Sequence, residues 1–503
     1  MFKIVSAEQA VEYIHDGDCI GVNSFLALAN PDALHKALAE RFAATGHPGN
    51  LEIFCPSGFG GWDKDLFADR YVAAGAVSRV VASHFMSMPE VMRMAKENKI
   101  ECYCLPLGVL SHCLRAAAGG QDGYLSKVGL NLFVDPRLDG PGINARSKDQ
   151  LVQLVEIGGE EFLYYRTPKI DIAFIKGTTV DPDGNITFEH ECVVVDALSL
   201  AQAARQNGGK VIVQVERVSH EFARPRNVIV PGMLVDAVVV CEETPEIQRY
   251  NPILSGDIHV PSTQMDYWMG KLTVSGKRGA MEEDMPAEII GERAARELRA
   301  GDIVNIGIGI PEKVGQYASL QGILRELTLT VEAGGIGGLP APGVAFGATI
   351  GADMNCDTAI QFDFYDGGGL DICFMGGIEA DCKGNVNAHK LGERYAGIGG
   401  FANITSATKT VVFCMTFTTK GLRVSREDGK VSIVQEGKIP KFKKEIAAIS
   451  FSAKNALERG QRVLYVTERC VFELTADGLR LAEVFPGVRQ KQDIEDLLDF
   501  KLA

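Results

Sequence analysis

The segment IDIAFIKGTTVDPDGNIT (170–187) returns without a gap, 200 residues later, as LDICFMGGIEADCKGNVN (370–387). Asp171/Asp371, Ile172/Ile372, Phe174/Phe374, Gly177/Gly377, Asp181/Asp381, Gly184/Gly384 and Asn185/Asn385 coincide. The strand KVIVQVERV (210–218) then matches KTVVFCMTF (409–417) at almost the same offset. Near the start of each half, Gly-Asp opens a strand that runs to a proline: IHDGDCIGVNSFLALANP (14–31) against LRAGDIVNIGIGIP (298–311). There the offset is 284, so the first half carries extra material, expected within residues 40–150. Three matches in one order imply two copies of one supersecondary plan.

The plan itself is α/β. Short, nearly continuous apolar runs, among them DAVVV (236–240) and RVLYVTERCVF (462–472), alternate with helix-like segments. Such strands belong to sheets covered on both faces. The expected fold is therefore two homologous open α/β domains that arose by internal duplication, over residues 1–275 and 285–503. The junction falls around 250–285, where YNPILSGDIHVPSTQ loses periodicity and KRGAMEEDMPAEIIGERAARELRAGD restarts a helix. DPDGN (181–185) and DCKGN (381–385) read as tight turns that need Gly or Asn at positive φ, a structural role.

A net charge of -14 disfavours nucleic acid as the main partner, because phosphate neutralisation needs a basic face. No apolar run reaches the ~18 residues of a membrane span. MFKIVSAEQAVEYI is no signal peptide, since Glu8 interrupts it; Ser6 and Gln9 read as a capping box opening a helix. Twelve scattered cysteines without a C-x-x-C pair suit reduced thiols and a cytoplasmic location. Cys102, Cys104, His112 and Cys113 form the one dense group. Cys102 and Cys104 are too close for the usual zinc spacing and would share one strand face, so no metal site is expected.

Duplication directs the search for chemistry, because a feature in one copy alone is not scaffold. The second half holds the glycine loops NIGIGIPE (305–312), EAGGIGGLP (332–340), YDGGGLD (365–371) and AGIGGF (396–401). None is a dinucleotide fingerprint. Gly307 and Gly309 are followed by Glu312 where a third Gly belongs, and Gly335 and Gly337 by Pro340. No P-loop pattern occurs either. What remains is a set of backbone donors suited to a phosphate or a developing oxyanion. Glu332 follows the apolar strand TLTV and precedes Ala333-Gly334-Gly335, which leave its carboxylate approachable. A strand-end carboxylate can simply cap a helix or face water. A dry, approachable one beside bare backbone suits nucleophilic attack on an acyl group. The nine histidines are isolated, and no G-x-S-x-G occurs.

At these residues the chain resembles a family. NIGIGIPEKV, VEAGGIGG, YDGGGLD and AGIGGFANI, in this order, are similar to the C-terminal half of class I coenzyme A-transferases. GLNLFVDPR (129–137), VEIGGEEFLYY (155–165) and DGNITFE (183–189) resemble the single-chain acetate/propionate branch, and the similarity covers nearly the whole chain. The resemblance implies that Glu332, in Glu332-Ala333-Gly334, is the nucleophile of a ping-pong CoA transfer from a short-chain acyl-CoA to a free carboxylate. An acyl-glutamyl anhydride and a glutamyl-CoA thioester would be its intermediates. It further implies that Asn305, Gly307, Gly309, Gly334, Gly397, Gly399 and Gly400 line the CoA and oxyanion region. CoA would be a substrate, with no permanently bound cofactor, and the protein a homotetramer. The chain departs from glycine-rich branches at Asn23-Ser24-Phe25-Leu26-Ala27-Leu28-Ala29-Asn30-Pro31, where Leu26 and Leu28 are expected to shape the acyl pocket. Competing readings on the same fold are the α subunit of a lyase complex, an acyl-CoA hydrolase and a catalytically silent ligand sensor.

Overall fold

A computed structural model describes residues 2–255, 261–275 and 284–503. Two large sheets dominate it. The first contains Lys3–Val5 (β1), Cys19–Val22 (β2), Leu51–Cys55 (β3), Val77–Ala82 (β4), Glu101–Cys104 (β5), Ile172–Lys176 (β6), Lys210–Val215 (β7) and Ala237–Val240 (β8). Its order is β1-β8-β7-β6-β2-β3-β4-β5, and every pairing is parallel.

The second contains Ile303–Ile306 (β9), Thr328–Thr330 (β10), Gly335–Ile336 (β11), Met354–Asn355 (β12), Ile372–Gly376 (β13), Thr410–Cys414 (β14), Arg462–Val466 (β15), Cys470–Thr475 (β16) and Gly478–Val484 (β17). Its order is β12-β11-β10-β9-β13-β14-β15-β16-β17. The five central strands, β10 to β15 in that order, are parallel, and antiparallel strands extend both edges.

The repeat is structural down to single hydrogen bonds. In each copy the strand aspartate accepts from the backbone N–H that opens the neighbouring strand: Cys19 to Asp171 Oδ2 and Ile303 to Asp371 Oδ2, both 2.9 Å. Both Asp-x-x-Gly-Asn turns are closed alike. Asp181 accepts from Asp183 N and Asn185 N, and Asp381 from Lys383 N and Asn385 N. Gly184 and Gly384 take φ of 83° and 93°, which the turn requires and only glycine adopts at little cost. Ser6 and Gln9 also form the expected capping box.

Both faces of the second sheet are dry, and alternate side chains go to opposite cores. Ile372, Phe374, Val412 and Leu464 join one cluster, and Cys373, Met375, Val411, Phe413 and Tyr465 the other. RVLYVTERCVF is not one run but two antiparallel strands. Thr467 Oγ1 accepts from Arg469 N and Cys470 N and turns the chain back between them. Part of the expected junction, 256–260 and 276–283, lies outside the described residues.

Candidate active site

Glu332 lies two residues past the end of β10, at the C-terminal edge of the parallel strands. Open α/β sheets bind ligands outside that edge. Asn305 pairs with Thr330 across β9 and β10, and the chain turns back just beyond that pair, at Glu332, where Val331 N donates to Gly335 O (2.8 Å) and Gly334 N to Val331 O (3.0 Å). The carboxylate is largely withdrawn from water. Burial raises it from 4.5 to about 7, and among the described residues no cation is paired with it to oppose that.

Behind it stands a polar brace. Asn305, only 3% exposed, donates through Nδ2 to Thr330 O (3.2 Å) and to the hydroxyl of Tyr365 (3.3 Å). Tyr365 projects from the helix Thr358–Asp366 and is fully buried. Burial raises its phenol, and the nearby charge of Glu332 adds to the effect. The brace ties β9, β10 and that helix together immediately under the nucleophile candidate.

The glycines divide by what they touch. Gly400 borders the carboxylate itself: a Cβ there would lie 2.8 Å from Glu332 Oε2. Gly334, at φ 111°, packs on Cys356, whose carbonyl oxygen would be 1.9 Å from an added Cβ. Gly307 donates its N–H to Phe374 O (2.9 Å). Gly309, at φ 88°, donates to Glu312 Oε1 (2.8 Å) at the start of the helix Glu312–Leu320. Gly399 donates to Ser83 O and accepts from Leu107 N, each at 3.0 Å. At Gly397, with φ 88°, an added Cβ would meet Ser83 O at 2.4 Å. Glu332 and Gly400 are thus brought together. Gly397 and Gly399 are spent on docking their loop to the other domain.

That docking is what sequence reasoning missed. Phe85 N donates to Ala396 O (3.0 Å), and His84 forms a β-bridge with Gly397, just beyond β4. Helix Leu107–Ala118 (α1 below) adds the contact from Leu107. His112 Nε2 and Arg115 of α1 meet Asp363 of the helix Thr358–Asp366 at 2.9 and 2.7 Å, tying the two domains together. Cys102 and Cys104 are buried on β5, and burial raises the thiol of Cys104 to about 12. Among the described residues no group of three His, Cys, Asp or Glu could hold a metal. Likewise no described helix is long and apolar enough to cross a membrane.

Phe25 to Ala29 close over the second domain in a strained hairpin. Leu26 and Ala29 take φ of 53° and 57°, although both are buried and neither is glycine. Each such residue costs about 1–3 kcal/mol and persists only where its surroundings hold it. Here Leu26 N donates to Ser57 Oγ (3.3 Å), Asn30 Nδ2 to Leu26 O (2.7 Å), and Gln248 Nε2 to Ala27 O (2.7 Å). The Phe25 ring lies against Gly347, with its centroid 6.2 Å from that of Phe346. The sequence carries no signal for this strain, because nothing in Phe-Leu-Ala-Leu marks a positive φ.

Comparison with known proteins agrees with this architecture. The family profile described as Coenzyme A transferase matches residues 4–241 and 287–493, one stretch in each half. Caffeate CoA-transferase of Acetobacterium woodii is 39% identical over 515 residues, covering 100% of this chain and 95% of that one. Acetate CoA-transferase YdiF of Escherichia coli (strain K12) is 39% identical over 507 residues, covering 99% and 92%. The crystal structure of the acyl-CoA transferase YdiF apoenzyme from Escherichia coli O157:H7 superposes with a TM-score of 0.90 at 37% identity, covering 100% of this chain and 93% of that chain. With two relatives matched end to end and both halves of the fold accounted for, the chain belongs to the coenzyme A-transferase family, as a single-chain class I enzyme.

Proposed function

We propose that the protein moves CoA between short-chain acyl-CoA thioesters and free carboxylates of the acetate, propionate or butyrate type, with Glu332 as covalent nucleophile. The observation that carries this reading is a buried carboxylate bordered by Gly400, whose loop docks on the first domain, and raised to about 7 by burial. Poor solvation makes it a stronger nucleophile than a carboxylate in water, and it remains ionised above neutral pH.

In this mechanism Glu332 attacks the thioester carbonyl, the C–S bond breaks, and CoA thiolate leaves an acyl-glutamyl anhydride. The thiolate then attacks the Glu332 carbonyl, releasing the first carboxylate and leaving a glutamyl-CoA thioester. An incoming carboxylate attacks that thioester and re-forms an anhydride. The returning thiolate takes the new acyl group, and Glu332 is restored. No net proton moves. The loops holding Gly307, Gly309, Gly334, Gly397, Gly399 and Gly400, with Asn305 beneath them, are assigned to CoA and to the oxyanions through donors other than the N–H groups of Gly307, Gly309, Gly334 and Gly399, which Phe374 O, Glu312 Oε1, Val331 O and Ser83 O already occupy. A relative, YdiF, has been crystallised as a thioester complex with CoA, which supports a thioester stage here.

Acetate as acceptor class is carried by the name of one full-length relative and caffeate by another, so chain length is a question for the site. The same reading takes the protein as a cytoplasmic homotetramer without a resident cofactor, its domains divided near 275–285. Initial rates measured against both substrates test the mechanism. Parallel double-reciprocal lines are expected; intersecting lines would show a ternary complex and remove the covalent reading.

A further inference from the structure

Gln361 is fully buried, yet its side-chain nitrogen has no hydrogen-bond partner among the described residues. Buried amides are almost always paired, so this orphan donor needs a reason. Its oxygen is fixed. Burial raises the Cys356 thiol to about 11, so it keeps its proton, and Sγ stands 3.3 Å from Gly334 O and 3.6 Å from Gln361 Oε1. With Oε1 facing that thiol, Nε2 is turned away from it.

The remaining polar neighbour is Tyr365, four residues on along the helix Thr358–Asp366 and so on the same face. Burial chiefly raises its phenol; hydrogen bonding from Thr330, Gln361 and Asn305 opposes that, and the charge of Glu332 adds to it. The Tyr365 hydroxyl is therefore the common neighbour of the orphan amide and of the carboxylate. A phenol oxygen accepts up to two hydrogen bonds and donates one. Asn305 Nδ2 supplies the first at 3.3 Å. A bond from Gln361 Nε2 supplies the second, and the hydroxyl proton is then the one part left to aim. Its acceptors are Thr330 Oγ1, whose own proton goes to Val304 O (3.1 Å), and Glu332.

The demand for that proton comes after the first chemical step. When CoA thiolate attacks the Glu332 carbonyl of the anhydride, negative charge collects on the Glu332 oxygen. A phenol that burial keeps protonated donates to this oxygen without titrating, and it retains its proton when the first carboxylate leaves. On the reading of Glu332 as nucleophile, we infer that the Tyr365 hydroxyl donates to the Glu332 carbonyl oxygen in the covalent stages, and that Gln361 is the positioning residue that aims it.

A double-mutant cycle on the full-length protein tests this, with acetyl-CoA and propionate as substrates and a urea melt on each variant. Tyr365→Phe removes the hydroxyl alone and should lower kcat and kcat/KM together by about 100-fold, the scale of one oxyanion donor. Gln361→Leu should lower both by less. The acid limb near pH 7 should stay in place in each, because the bond forms only after the free enzyme has reacted. In the Tyr365→Phe background, Gln361→Leu should change neither constant further, whereas a packing role would exact its own loss in either background. Losses that multiply overturn the role of Gln361, and a wild-type kcat in folded Tyr365→Phe overturns the whole inference. If the variants do not fold, the wild type carries the test. The isotope-edited infrared carbonyl band of its glutamyl-CoA thioester should lie below that of a simple thioester in hydrocarbon solvent, and an unshifted band overturns the inference. Exchange that survives in Glu332→Ala removes the nucleophile reading and this inference with it; slowed exchange with the thioester still formed bears on Tyr365 and Gln361 alone.

Discussion

If Glu332 is kept dry for chemistry, the protein loses stability by keeping it, and replacing it should restore that stability. Burial raises the carboxyl from 4.5 to about 7. At 1.36 kcal/mol per pH unit, the ionised side chain destabilises the folded state by at most about 3 kcal/mol. The folded protein binds this proton more tightly than the unfolded chain does. The penalty is therefore absent below about pH 4.5, grows as pH rises through 7, and is constant above that. Glu332→Gln keeps the shape and removes the charge. Urea melts followed by circular dichroism, on both proteins at pH 5 and pH 8, read the difference. Other buried acids such as Asp357, raised to about 6, and Asp366, raised to about 7, are common to both proteins and cancel. The variant should be inactive, nearly equal in stability to wild type at pH 5, and more stable by ~2–3 kcal/mol at pH 8. A gap that does not change with pH, or a variant less stable at pH 8, would refute the argument that desolvation sets the state of Glu332.

Three further outcomes follow from the same geometry. The kcat/KM of the free enzyme should rise tenfold per pH unit in acid and level off near pH 7, as Glu332 ionises; a profile flat from pH 5 to 8 contradicts this. Gly400→Ala puts a methyl 2.8 Å from Glu332 Oε2 and should cost about 100-fold in kcat with circular dichroism unchanged, because misplacement of ~1 Å has that effect. Asn305→Ala breaks the links to Thr330 and Tyr365 and should cost about 1–3 kcal/mol in a urea melt, with activity falling alongside; wild-type stability would show the brace to be idle.

The duplicated fold was legible because its signature is local. Asp181 and Asp381 each close their own turn within four residues, so the residues that make the structure also make the pattern. Glu332 stood out for a similar reason, an acid between a β-branched strand and a glycine run. The hairpin at Thr467 was hidden because a threonine hydroxyl, not Gly or Pro, turns the chain, and Arg469 is buried against Glu468 and Glu436 rather than exposed. The interdomain half of the site was hidden too. Ser83, His84 and Phe85 reach the loop at Gly397 across more than 300 residues of sequence, and periodicity carries no information at that range. The glycine run after Glu332 reads in sequence as clearance for a ligand. In the structure Gly334 and Gly335 fit the chain against Cys356 and Thr349, while the glycine bordering the carboxylate is Gly400, 68 residues away.

Intact mass reads the covalent role of Glu332 without relying on rates. The protein is incubated with acetyl-CoA and no acceptor, then its mass is measured and its peptides are mapped. A CoA thioester on the peptide that holds Glu332, absent from Glu332→Ala and discharged by added acetate, is the expected result. A Glu332→Ala protein that still exchanges CoA between acetyl-CoA and a second carboxylate would contradict it.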